Sequence, residues 1–231
     1  MIGYKTMESN EKMLTEMVKM YEETLSATGQ SKNLGLMTAT DVTKAVSDLS
    51  NARANLLSLT AAKDSLYKNL IMMCGWQPDA TVVIGEVPAV SEDELNSLNP
   101  GEDIKAAIGN NETLINNRHD TSSRSTAAVD AKLYKSAQDE DMLLINLNGM
   151  YDKIRSDKKA LEAAKAGAEA ARLTENTLET RKNLGMVAGA QYLGERLGIM
   201  QKQAEYDAAV LELRTDYNNY IQAVEGNTGL E

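Results

Sequence analysis

Apolar residues at Val42, Ala45, Leu49, Ala52, Leu56, Leu59, Leu66, Leu70 and Met73 step by three and four along one line, interrupted by a single polar residue, Lys63. That spacing puts all of them on one stripe of an α-helix and forms a coiled-coil seam, which a strand with its period of two cannot present. The frame demands a long helix with a partner lying along it. Gly75 supplies the closing residue of that helix, and Pro78 keeps it from resuming. The three prolines, Pro78, Pro88 and Pro100, fall in one short region and leave both flanks free of such breakers. Phe is absent while Met and Ala are frequent, which favours thin-cored helices over sheets filled by aromatic and β-branched residues.

Three further frames flank this one. Met7, Leu14, Met17, Tyr21 and Leu25 share a face, so residues near 5–31 form an amphipathic helix. Val129, Leu133, Leu143, Leu147, Met150, Ile154, Leu161, Ala164, Ala168, Ala171 and Leu178 stay in one frame broken by Ser136, Glu140, Asp157 and Glu175, predicting a helix over about 122–183. Gly149 and Gly167 mark sites for bends in it. Leu193, Leu197, Met200, Ala204, Ala208 and Leu211 begin a fourth helix, about 190–225, whose seam drifts to Val210, Leu213, Tyr217, Tyr220 and Val224. Between the hairpins Thr81 to Ile84 reads as strand-like, Ser91-Glu92-Asp93-Glu94 opens a small helix, and Asn99-Pro100-Gly101 is a turn. Val82, Ile84, Val87, Leu95, Leu98, Ile104, Ile108 and Leu114 are apolar enough to anchor this region on the helices.

The expected fold class is therefore all-α. Two long antiparallel coiled-coil hairpins, 5–75 with a tip at 32–41 and 121–226 with a tip at 182–191, flank a small irregular mixed belt at 76–120 in a single elongated helical domain, 1–231. No β-barrel is evident, because the third helix runs through in one frame without alternating segments of about ten residues.

Several function classes drop out. The formal charge of −10, without a basic run, speaks against nucleic acid as a partner. No stretch approaches the roughly 20 apolar residues of a membrane-spanning helix, so the chain encodes no membrane association of that kind. Met1 to Tyr21 lacks the pattern of a signal peptide and reads as mid-helix; the expectation is a chain trimmed from a longer exported precursor, its signal removed. The lone Cys74 reads as a small buried residue near a helix end. His119-Asp120, near Ser122, Ser123 and Ser125, has neither a nucleophile elbow nor a glycine-rich oxyanion loop, so no enzyme is expected. Asp139 to Asp141 and Glu92 to Glu94 lack the alternating spacing of a calcium loop and read as acids at helix starts; no metal or cofactor is expected. Tyr192, Tyr206, Tyr217 and Tyr220, at helical spacing, read as packing.

The chain is also duplicated. A shift of 150 residues lays Lys32-Asn33-Leu34-Gly35-Leu36 on Lys182-Asn183-Leu184-Gly185-Met186, and Ala54, Tyr67 and Asn69 on Ala204, Tyr217 and Asn219. Each copy has glycine where the first helix of a hairpin must reverse. In the first copy Thr38 is the N-cap of the returning helix and Asp41, three residues on, completes a capping box.

Asn33-Leu34-Gly35-Leu36, followed by Thr40-Asp41-Val42 and Ala45, resembles the N-x-G-L-x-x-x-T-D-V-x-x-A signature of hairpin tips in the TolC-like outer-membrane efflux proteins. The resemblance covers both hairpins and extends to the belt. It implies a homotrimer whose helices form a duct in the cell envelope, periplasm or outer membrane, docked through its tips onto a periplasmic adaptor protein of an exporter. It places partner binding on Leu34, Gly35, Leu36, Thr38, Asp41, Leu184, Gly185 and Met186. Two departures stand out. The family's barrel strands are missing, so the chain reads as a barrel-less or truncated member; and where the family closes its second tip with a tyrosine, an arginine and aspartates, this chain has Lys182, Val187, Gln191 and Gly194. A trimer and a monomer both fit the Ala-rich seam. The competing class is a structural coiled-coil module of a surface or filament, without transport activity. The exported substrate is not encoded, since such a duct selects little.

Overall fold

The computed structural model describes residues 1–77, 79–119, 126–187 and 189–227. It contains α1 (Ile2–Asn33), α2 (Ala39–Met73), α3 (Glu92–Asn96), α4 (Pro100–Asn110), α5 (Glu112–His119), α6 (Thr126–Asn183) and α7 (Gly189–Val224), with no strand among the described residues. The four long helices fall within a few residues of the spans their apolar frames predict. None of the described helices is long and apolar enough to cross a membrane. The packing does not divide the chain hairpin from hairpin with a belt set apart at 76–120. One unit holds Met1–Val87 with Glu162–Leu211, and the other Pro88–Leu161 with Glu212–Glu231, so both α6 and α7 are shared.

In the first unit α1 and α2 pair antiparallel around Val18, Leu49 and Ala52, with Tyr21, Leu25 and Leu56 packed on them. Lys63, the polar break in the α2 frame, is answered from the facing helix: its ammonium pairs with the Glu11 carboxylate, which also accepts from Thr60 Oγ1 at 2.9 Å. The hydrogen bond from Lys63 holds the Glu11 carboxyl below its usual range, against the opposing effect of burial. The break is thus an interhelical tie.

The α2 seam shifts at its end. Ile71, out of frame, is 2% exposed, whereas Met73 is 84% exposed and Cys74 lies at the surface, contrary to the expectation of a buried cysteine. The cause is the reversal that follows: Gly75 N–H donates to Met72 O at 2.9 Å and Trp76 N–H to Ile71 O at 3.1 Å, sending the chain back along the Ile71 side. Thr81 to Ile84 follows without a ladder partner, so it is no strand. A tyrosine hydroxyl holds it instead, for Tyr67 Oη accepts from Val82 N–H at 2.6 Å and lies 3.1 Å from the Ala80 carbonyl oxygen.

In the second unit the short helices α4 and α5 join α6 and α7 in the core. Ala107, Leu114, Leu143, Leu147, Ile154, Leu213, Tyr220 and Ala223 form one cluster, ringed by Val90, Leu95, Leu98, Ile104 and Ile108 from the belt. The small helix expected from Ser91 to Glu94 is α3, and Ser91 and Glu94 open it with a capping box. Asn99-Pro100-Gly101 opens α4 instead of an isolated turn, because Pro100 suits a first helical position and Asp103 Oδ2 accepts the Asn99 N–H at 2.9 Å. Arg214 ties α7 to this region through Pro88 O at 2.8 Å and Glu94 Oε1 at 3.0 Å. Val129 and Leu133, although in the α6 frame, are exposed, whereas Leu143, Leu147, Ile154 and Leu178 of that frame are buried. Ser136 and Asp157, two of its polar breaks, are buried within the frame.

Candidate docking surface at the hairpin tips

Both tips belong to the first unit. At the first, α1 ends in a Schellman motif: Leu36 N–H donates to Ser31 O and Gly35 N–H to Lys32 O, each at 2.9 Å, with Gly35 at φ +75°. The second tip repeats it, with Met186 N–H on Arg181 O at 2.8 Å, Gly185 N–H on Lys182 O at 2.9 Å, and Gly185 at φ +69°. Positive φ is what a side chain resists and glycine accepts. The space over either glycine is open to 4 Å. The flanking side chains point outward: Leu34 is 75% exposed, Leu36 76%, Leu184 and Met186 68% each, and Met37 stands beside them. Apolar side chains at that exposure sit at the protein surface without an internal packing role.

Thr38 and Asp41 do different work. Asp41 Oδ2 accepts from Thr38 N–H at 2.8 Å and from Thr38 Oγ1 at 2.7 Å, and Asp41 N–H donates back to Thr38 Oγ1 at 3.3 Å. Hydrogen bonds from the Thr38 hydroxyl and then its backbone N–H hold the Asp41 carboxyl below its usual range. This pair is therefore engaged in starting α2. Thr38→Ala is expected to destabilise the protein by about 1 kcal/mol, read as a lower urea midpoint, as N-cap removal generally does; an unchanged midpoint would show that the cap does not hold the tip.

The second tip has Ala188 and Gln191 in sequence where the first has Thr38 and Asp41; it is braced below the turn. Tyr192 Oη donates to Glu179 Oε1 at 2.6 Å, Arg196 Nη1 reaches the same oxygen at 2.5 Å and Tyr192 Oη at 2.9 Å, and Lys182 Nζ stands 4.1 Å over the Tyr192 ring. Arg181 pairs with Glu195 at 3.2 Å, and Gln191 Nε2 donates to Glu195 Oε1 at 2.8 Å. Lys182 also comes within 3.9 Å of Glu23 on α1. Glu179, Arg196 and Glu195 escaped the sequence reading, and Tyr192 entered it as packing alone. Their signal was their placement at mirror positions across the Gly185 turn, which an antiparallel hairpin brings face to face. A tyrosine, an arginine and an acid thus do meet at this tip, although at Tyr192, Arg196 and Glu179 and not at Val187, Gln191 or Gly194.

Elsewhere, one convergence of three carboxylates occurs among the described residues, at Asp157, Glu212 and Asp216. The Lys153 ammonium stands among them, 2.7 Å from Asp216 and 3.1 Å from Glu212. The serine and histidine group at His119, Asp120, Ser122, Ser123 and Ser125 lies, for its side chains, outside the described residues.

No family model matches the sequence, and no curated protein does. The fold is shared nonetheless with solved TolC-like outer-membrane channels. The chain superposes on the outer-membrane channel OprN with a TM-score of 0.65 at 14% identity, covering 98% of this chain and 65% of OprN. For the outer-membrane protein VceC from Vibrio cholerae the TM-score is 0.67 at 13% identity, over 100% of this chain and 68% of VceC. For CusC, a protein of transmembrane channel formation, it is 0.66 at 11% identity, over 97% and 76%. The chain thus spans about two thirds of the length of OprN and VceC. Similarity at these identities establishes the fold.

Proposed function

We propose that the chain is the helical duct of an export system, located in the cell envelope and docked by its two hairpin tips onto the hairpin of a periplasmic adaptor protein. The observation that carries this reading is the pair of equivalent glycine turns, each presenting apolar side chains to solvent: Leu34 and Leu36 at one, Leu184 and Met186 at the other. A bare turn lets a partner backbone come close, and the leucines provide area that is desolvated on contact. The likeness to channel structures supports the duct, and a homotrimer belongs to the same proposal.

The deciding variants are Leu36→Asp and Met186→Asp. Both side chains are surface groups, so helicity and melting are expected to stay as in the parent while adaptor binding falls at least tenfold, measured by calorimetry or surface plasmon resonance. Gly35→Arg is the less clean probe, since a side chain at φ +75° costs about 1 kcal/mol by itself. Unimpaired binding by both aspartate variants would end the docking proposal and favour a structural coiled-coil module.

A further inference from the structure

In the second unit, Asp157 of α6 and Asp216 of α7 face each other in the seam, and we propose that this carboxyl pair is a proton-sensitive clamp that tightens the α6–α7 contact when one of the two takes up a proton. Asp157 occupies a seam position between Ile154 and Leu161 and is 9% exposed, among neighbours Ile154 and Leu213 that are 2% and 1% exposed. The carboxylates of Asp157, Glu212 and Asp216 converge, with an oxygen of each within 4.8 Å of the others. Two carboxyl groups brought together in this way can share a hydrogen bond when one of them carries a proton, since an ionised carboxylate has nothing to donate.

The charges around the pair leave it short of cations. Lys153, one turn earlier on α6, stands 2.7 Å from Asp216, 3.1 Å from Glu212 and 3.4 Å from Asp157. One ammonium thus faces three carboxylates, and full ionisation leaves two uncompensated negative charges. Other charged groups of this unit are engaged away from the pair: Glu92 with Lys158 at 2.6 Å, Glu94 with Arg214 at 3.0 Å, and Asp103 with the Tyr220 hydroxyl at 2.8 Å.

The two members respond in opposite directions. Burial, followed by the hydrogen bond to Asp216, pushes the Asp157 carboxyl up, with Lys153 opposing. Burial works the same way on Asp216, but the hydrogen bonds from Lys153 and Asp157 outweigh it and hold that carboxyl down. A group whose folded value is raised contributes stability that is complete below its unfolded value and is lost as pH rises through the folded one. Asp157 is that group. Asp216, depressed, loses its contribution when pH falls through its own lower value. Between these limits the pair holds one proton and the seam is tightest.

The test compares Asp157→Asn with the parent, both carrying His119→Gln so that the chain's lone imidazole is silent, by thermal melting of the full chain from about pH 4.5 to 7.5. Asparagine keeps a donor toward Asp216 and cannot ionise. The Tm of the Asn variant relative to the parent is expected to climb with pH, by several degrees across the range. A difference that stays flat or shrinks overturns the clamp. Should the variant fail to fold, carboxyl carbon shifts of the parent decide: one aspartate titrating above and the other below the ordinary range supports the pair, and both titrating within it removes the proposal.

Discussion

Replacing Tyr220 by alanine is expected to destabilise the protein by about 4 kcal/mol, the cost of removing a fully enclosed aromatic ring with partial collapse of the cavity. Tyr220 is 0% exposed and sits with Leu114, Ala107, Leu213 and Ala223 at the centre of the second unit. Its ring lies 6.3 Å from that of Tyr151, tilted by 48°. Its hydroxyl donates to Asp103 Oδ2 at 2.8 Å, and the same carboxylate oxygen accepts the Asn99 N–H where α4 begins. Burial, then the Asp103 bond, pushes the phenol well above its usual range, so it stays a donor at neutral pH. Tyr220→Phe separates the contributions: it keeps the ring and loses a bond to a charged acceptor, an expected cost of about 1.5 kcal/mol. Urea denaturation at neutral pH should rank parent, Phe and Ala in that order; equal costs for Phe and Ala would mean that the hydroxyl and not the ring holds α7 to the belt.

The place of Tyr220 shows how far periodicity carries. The frames predicted the four long helices and their buried positions, from Leu49 and Ala52 through Leu143, Leu147 and Ile154, because a three–four pattern encodes a stripe without reference to the partner. They could not say which stripe meets which. Tyr220 read as generic packing until α4 and α5, whose apolar positions are too few to set a frame, folded onto it. Ile71 displaced Met73 because a reversal beyond the helix decides which side of its last turn is covered. Thr81 to Ile84 had strand composition, but a strand needs a ladder partner, and the Tyr67 hydroxyl serves instead.

The tips were legible for a different reason. A helix end has a fixed inventory of unpaired carbonyls, and glycine followed by a hydroxyl and an acid is a local chemical solution to it. Gly35, Gly185, Thr38 and Asp41 could therefore be placed from neighbours in sequence alone. The brace of Glu179, Tyr192 and Arg196 is nonlocal and called for pairing residues across the turn. Asp157 was visible as a break in the α6 frame, yet nothing local named Asp216 as the group facing it.

Gly226 extends the duplication beyond what the 150-residue shift aligned, and it is the second site of large expected effect. It closes α7 as Gly75 closes α2, with Gly226 N–H on Ala223 O at 3.1 Å, Asn227 N–H on Gln222 O at 2.9 Å, and φ +87°. Unlike the tip glycines it is enclosed. A Cβ there would overlap the Asn110 carbonyl oxygen and come within 2.6 Å of its carbon and 3.0 Å of Asn111 N. Those atoms have little freedom to retreat: Asn111 N–H is bonded to Ala107 O at 2.9 Å, Leu114 N–H to Asn111 Oδ1 at 3.1 Å, and Asn110 Nδ2 to Val224 O at 3.0 Å. Gly226→Ala is expected to cost about 3 kcal/mol, roughly 1 from the left-handed backbone and the rest from overpacking. Gly35→Ala has the same backbone sign and open space, so about 1 kcal/mol is expected there. Gly198→Ala, inside α7 with open space and no positive φ, should instead stabilise by about 0.5–1 kcal/mol. Urea midpoints of the three variants measure the ordering directly, and a Gly226→Ala cost no larger than that of Gly35→Ala would show that the end of α7 is not held against the α4–α5 junction.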